Sequence, residues 1–168
     1  MAIDTLVAPL LRVELFQGLK PLQITEIARQ AERIVFKTGD RITAAGQQAS
    51  AAFLVVSGEA NWLDPGNSGA PEPVEAGSLI GEMAMLIEHE YGATVIAAGP
   101  VRCLKLNRTA MHAQMLDDPA LAEHLTAKIT ARLTRVAREL QAIDADFDDA
   151  LPHFARAALS ADNAHVTH

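Results

Sequence analysis

The sequence predicts a mainly β domain with flanking helices: a sandwich or barrel of short strands between N-terminal helices and a long C-terminal helix. Three observations carry this expectation. Apolar residues recur at helical spacing up to about residue 31, at a period of two from Glu32, and at helical spacing again from Arg108. Turn clusters such as Thr38-Gly39-Asp40 and Ser57-Gly58 cut the middle of the chain into short pieces. The 168 residues are 49% hydrophobic with little aromatic content, enough for one sizeable core filled by Ala, Leu, Ile and Val.

Element by element, Ile3, Leu6, Val7, Leu10 and Leu11 fall at helical spacing, with Pro9 expected to bend or split the segment. The polar face of this helix carries too few Lys or Arg for a membrane surface, so it is expected to pack on the domain. Pro21 suits the first position of a second helix, because the amide it lacks has no partner there anyway. Strands are expected at Ile34–Phe36, around Ile42, at Ala52–Val56, and continuing through Ala60–Leu63. Asp64 to Pro71 reads as a loop on composition. Val74 and Leu79-Ile80 belong to short strands, and Thr94–Ala98 with Val101–Leu106 form the last pair. Helical spacing returns at Arg108–Met115. Asp117 or Asp118, followed by Pro119, then starts a long helix assigned to 118–143.

In that helix Ile129, Leu133, Val136, Leu140 and Ile143 alternate spacings of four and three, a heptad-like seam with Arg132, Arg135, Arg138 and Glu139 off it. Such a seam could cover the domain's own sheet or pair with its copy. A free stripe of Leu, Ile and Val is costly, so a homodimer through residues 125–143 is expected. The domain is drawn as 1–147. The residues after it, 148–168, continue an acidic run (Asp144, Asp146, Asp148, Asp149) and are expected to form a partly disordered tail, with a short helix at Leu151–Leu159.

The formal net charge of −7 gives the chain as a whole no reason to hold nucleic acid or an anionic membrane. The N-terminus is no secretory signal, since Asp4 comes early, Pro9 interrupts the apolar run and Arg12 follows it. No stretch approaches the ~20 apolar residues that span a bilayer, and a cytoplasmic protein is expected. Cys103, the one cysteine, sits in an apolar strand and reads as a buried structural thiol. The six histidines are scattered over loops, helices and the tail, with no closely spaced strand pair to hold a metal. No Ser/His/Asp or Cys/His arrangement, P-loop or dinucleotide fingerprint stands out. The expectation is a protein that is no enzyme and carries no cofactor.

The informative segment is Gly81 to Val95. It reads as a tight glycine turn, one short helical turn, a polar loop and a strand, the order of parts by which a β-structure holds a small phosphorylated ligand against backbone amides. Two further stretches are Phe36-Lys37-Thr38-Gly39-Asp40-Arg41-Ile42, with Gly46 after it, and Phe53-Leu54-Val55-Val56-Ser57-Gly58. With these, the chain resembles the cyclic nucleotide-binding domain family, the sensor half of catabolite-activator-type regulators and of cyclic-nucleotide-gated kinases and channels. The resemblance covers roughly residues 12 to 143. It implies a jelly-roll β-sandwich (a double-stranded β-helix) with the ligand, a cyclic nucleotide, between a phosphate-binding cassette and the long helix. It implies Gly81 as the turn and Glu82 as acceptor for the ribose 2′-hydroxyl. Met83 and Ala84 open the cassette helix, Gly92 and Ala93 present further amides, and Thr94 leads into the next strand. Thr126 and Thr130 stand where polar long-helix residues touch a purine.

Tyr91 is the departure. It stands where ligand-binding members carry a phosphate-gripping arginine, and no Arg or Lys lies between Ile80 and Val101. Glu88 and Glu90 flank it, with Glu82 opposite. A lost charge-assisted contact costs ~2–5 kcal/mol, while one phenolic hydrogen bond returns about 1 kcal/mol. Tight binding of cyclic AMP or cyclic GMP in the usual geometry is therefore not expected unless Arg102, Arg132 or Arg135 reaches in. Blander readings stand beside these: Glu82 as a cap of the short helix, the Tyr91 ring as a plug, Thr126 and Thr130 as plain exposed positions. Asp144 to His168 is too short and too acidic for the winged helix-turn-helix that follows the long helix in transcription factors, so direct DNA binding is not expected. Two functions follow from the resemblance. One is a stand-alone sensor with an atypical cassette that signals through its long helix. The other is a degenerate module acting in protein–protein interaction or dimerisation, through a partner the sequence does not identify.

Overall fold

A computed structural model describes residues 2–63 and 69–162, with side chains for 5–63 and 69–145. Residues 1–125 form one compact unit and residues 126–168 a second.

In the first unit, α1 (Ala2–Leu11) and α2 (Pro21–Gln30) precede the strands, with one 3-10 turn at Glu14–Phe16 between them. Pro9 lies inside α1, which runs on to Leu11 instead of splitting at the ring. Pro21 opens α2, as expected, and the Gln23 side chain accepts from the Lys20 amide at 2.9 Å.

Ten strands follow: β1 (Glu32–Phe36), β2 (Arg41–Thr43), β3 (Gln48–Ala49), β4 (Ala51–Ser57), β5 (Ala60–Leu63), β6 (Glu72–Val74), β7 (Leu79–Ile80), β8 (His89–Glu90), β9 (Thr94–Ala97) and β10 (Val101–Asn107). They make two four-stranded antiparallel sheets, ordered β1-β10-β4-β7 and β2-β9-β5-β6, and a separate pair β3-β8. This is the expected jelly-roll sandwich. Alternate side chains on both sheets meet in one core of Ile42, Phe53, Val55, Val95, Val101 and Cys103, all buried. Phe36 closes one side, its ring edge-to-face with Phe53 at 5.8 Å and 72°.

The other face of the first sheet carries Leu54, Leu104 and Leu106, also buried, beneath a helical layer that includes Leu10, Phe16, Ile24 and Ile27. Asn107 leads straight from β10 into α3 (Arg108–Asp117). Asp118 then caps α4 (Pro119–Asp162). Its carboxylate accepts from the amides of Ala120 and Leu121 at 3.1 and 3.3 Å and from Gln23 Nε2 at 2.9 Å. The Gln23 hydrogen bond, with the two amides, holds the Asp118 carboxyl below its usual range.

α4 passes the expected stop at Ile143 and absorbs the segment read as a separate short helix at 151–159. No glycine follows Gly99, so nothing between Ile143 and Pro152 offers a helix stop. The acidic run costs at most ~0.7 kcal/mol per residue in helix propensity, too little to break a helix. The disorder expected for the last residues falls on 163–168, outside the described residues. In the second unit Leu133, Val136, Leu140 and Ile143 are all exposed, at 42–58%. Among the described residues no helix is long and apolar enough to cross a membrane.

Candidate functional site

The candidate cassette begins where β7 ends. Gly81 adopts the left-handed conformation (φ 68°, ψ 38°), and the chain turns at once into one 3-10 turn, Glu82–Met85. The turn is self-contained: the Ala84 amide donates to the Gly81 carbonyl at 2.9 Å, and the Leu86 and Ile87 amides both donate to Met83 O. Ala84 and Met85 are fully buried and pin the turn to the domain. The Ala84 amide, assigned to a ligand by the resemblance, is therefore engaged within the turn. Glu82 and Met83 are half-buried at its start.

The chain then pairs as β8 with β3, Gln48 opposite Glu90 and Ala49 opposite His89. Next the backbone of Tyr91 is clamped on both sides, its amide donating to Gln47 O at 3.0 Å and its carbonyl accepting from the Gly46 amide at 2.8 Å. That clamp turns the half-buried ring back onto the sandwich core, against which it packs. Its hydroxyl donates to the Ala51 carbonyl at 2.7 Å. The ring lies so close to the glycine turn that a Cβ on Gly81 would stand 2.8 Å from Tyr91 Cε1. Burial pushes the Tyr91 hydroxyl above its ordinary value, so the phenol is neutral near pH 7.

Gly92 is exposed, while Ala93 is buried and its carbonyl accepts from Thr43 Oγ1 at 3.0 Å. Thr94 Oγ1 accepts from the Ala45 amide at 3.0 Å as β9 begins. Gly81, Glu82, Met83, Ala84, Tyr91, Gly92, Ala93 and Thr94 thus lie along one continuous segment of the first unit. Thr126 and Thr130 belong to the second unit, where both are exposed on α4.

Of the arginines named as substitutes, Arg102 points out from β10 on the face opposite the core that receives Tyr91, and Arg132 and Arg135 lie in the second unit. The cation that does reach the cassette is Arg108, which sequence reasoning missed. From the first turn of α3 its Nη1 donates to Ala49 O at 2.8 Å and to Ile87 O at 3.1 Å. His112, one turn further on, contacts the Leu86 carbonyl through Nε2. Together they anchor the chain where it leaves the 3-10 turn, Arg108 through charge-assisted hydrogen bonds to backbone carbonyls. The charge of Arg108 faces backbone oxygens, and no sequence signal marks a contact that spans 59 residues.

Known proteins share this fold. A family model described as the cyclic nucleotide-binding domain matches residues 33–118. A cAMP-dependent protein kinase regulatory subunit of Aspergillus niger is 32% identical over 96 residues, which is 57% of this chain and 23% of that protein. The chain thus spans about a quarter of that relative's length. Among solved structures, the catabolite activator protein of Thermus thermophilus is 28% identical with a TM-score of 0.62, over 77% of this chain and 62% of that one. A cyclic nucleotide-binding-like protein of Brucella abortus is 26% identical with a TM-score of 0.61, over 67% of this chain and 98% of that one. Glycine turn, 3-10 turn and jelly roll coincide within the matched residues, and the chain belongs to the cyclic nucleotide-binding domain family.

Proposed function

We propose that the chain is a regulatory sensor domain with an atypical cassette, in which Tyr91 replaces the phosphate-gripping arginine and the signal passes through α4. The observation that carries this reading is the Tyr91 phenol, neutral and half-buried, wedged between Gly81 and the Ala51 carbonyl. Such a group offers an anion no charge. Ligands that suit the site are cyclic nucleotides held more weakly than usual, or related small molecules that need no guanidinium. The role is non-catalytic.

Thermal unfolding with cyclic AMP and cyclic GMP tests it, because a ligand bound only by the folded state raises the melting temperature. Tyr91→Arg is expected to strengthen cyclic nucleotide binding by at least about tenfold, ~1.4 kcal/mol, measured by calorimetry. Tight binding by the unsubstituted protein sinks the reading. A second reading, a module that binds no nucleotide and acts through protein contacts, is favoured by the hydroxyl bond that ties the ring inward. An arginine variant that gains nothing selects it.

The output proposed for α4 is self-association through residues 125–143. Burying each of its exposed branched side chains is worth about 1.5–3 kcal/mol, and Leu133, Val136, Leu140 and Ile143 repeat at heptad spacing. Sedimentation should show a dimer that Leu133→Asp with Leu140→Asp converts to monomer. A wild-type monomer at all concentrations removes this part of the proposal.

A further inference from the structure

Away from the cassette, α1 stands over the outward face of the β1-β10-β4-β7 sheet and leaves a cleft of about 400 Å³ beside it. That volume falls within the roughly 300–1,000 Å³ of small-ligand sites. Leu6 and Pro9 of α1 line it on one side and Val35 and Val56 of the sheet on the other. Val35 is 64% exposed, so the apolar floor is open to an incoming chain.

The polar part of the lining is more telling. Arg33 and Arg102 both border the cleft, and no carboxylate does so among the described residues. In the β1–β10 register Arg33 faces Leu104 and Val35 faces Arg102, which makes the two arginines diagonal neighbours on one face. Diagonal positions in an antiparallel pair lie ~7–8 Å apart, close enough for two long side chains to converge on one group. Neither arginine makes an ion pair or side-chain hydrogen bond among the described residues. In a chain of net charge −7, two adjacent guanidiniums with no carboxylate beside them among the described residues form a local cationic site. Guanidinium matches carboxylate and phosphate geometry.

We propose that this cleft binds a free anionic amphiphile, a single alkyl chain ending in a carboxylate or phosphate. The tail lies on Val35 and Val56 under α1, and the head group sits between Arg33 and Arg102. The site is separate from the cassette and does not depend on how Tyr91 acts.

Calorimetric titration of the full chain with decanoate, below its micelle concentration, tests the proposal, with decyl phosphate and decyltrimethylammonium as comparisons of equal tail. Saturable one-to-one binding of both anions is expected, at least about tenfold tighter than the cation. Each methylene added or removed should change affinity by two- to fourfold until the cleft is filled. Arg33→Gln with Arg102→Gln should weaken decanoate by about tenfold and erase the preference over the cation. Both side chains are exposed, so this variant does not put folding at risk. Val56→Trp should obstruct all three ligands. Equal affinity for anion and cation, an unaffected double-glutamine variant, absence of saturable binding, or binding only to vesicles that carry anionic lipid would each overturn it.

Discussion

The turns at Gly58 and Gly81 both need a glycine, and for different reasons. At Gly58 (φ 101°) the β4–β5 hairpin closes against the β9–β10 turn, and a Cβ would stand 2.3 Å from Pro100 O and 2.8 Å from Val101 Cα. The Ala98 amide donates to Glu59 O across the same contact at 2.8 Å. At Gly81 (φ 68°) the closest atoms belong to one side chain, Tyr91, while the nearest backbone atom is Ala51 O at 3.7 Å. Backbone against backbone is a fixed part of the sandwich. A glycine faced by a ring meets a side chain that a single substitution can remove. One turn rests against main chain and the other against a side chain.

The largest expected effect breaks the turn at Gly58. Gly58→Ala combines a backbone conformation hostile to alanine with a collision against main chain that cannot move aside. A loss of about 3–5 kcal/mol is expected, or roughly 10 °C in melting temperature. A loss below about 1 kcal/mol would show that the two turns can slide apart, and the contrast with Gly81 would disappear.

The cassette end should behave otherwise. Gly81→Ala carries a left-handed cost of about 1–2 kcal/mol plus its collision with the Tyr91 ring. Tyr91→Ala removes that collision while losing the ring's own packing. In a double-mutant cycle the two changes should therefore couple favourably by about 1 kcal/mol, read from urea midpoints. Strict additivity would mean that the ring already moves freely.

The same contrast marks what could be read from the sequence. The strands of the sandwich were legible because Ile34 and Phe36 alternate with outward positions, and because Ala52–Val56 is a short continuous apolar run ended by Ser57-Gly58. β3 and β8 were not, being two residues each without alternation. They pair because Tyr91 clamps Gly46 and Gln47 beside them. The identity of Tyr91 and the absence of an arginine near it were plain in the sequence. Where its hydroxyl goes was not, since Ala51 lies 40 residues away. Arg108 escaped for the same reason. The end of α4 was not legible, because an acidic run carries little helix penalty and is no boundary.

The smallest expected effect uses pH to compare the two ends, and the composition makes it clean: the chain has one cysteine and one tyrosine. Cys103, in the β10 strand behind the Gly58 contact, has its thiol pushed up from 9.0 to about 12 by burial. Tyr91, in the cassette, is raised from 10.0 for the same reason. Each group holds its proton more tightly folded than unfolded. Its contribution is therefore complete below the unfolded value and declines as pH rises toward the folded one. Stability in urea should be flat with respect to these groups from pH 7 to about 8. It should then fall as the unfolded thiol ionises, by roughly 1 kcal/mol at pH 10, with the phenol adding a smaller decline only above pH 10. Cys103→Ala should remove the first decline and Tyr91→Phe the second, leaving the lysines to titrate. Tyr91→Phe should also cost about 1 kcal/mol at neutral pH through the lost bond to Ala51. If it instead leaves both neutral stability and the upper alkaline limb unchanged, the phenol is solvated in the folded protein and does not fill the cassette.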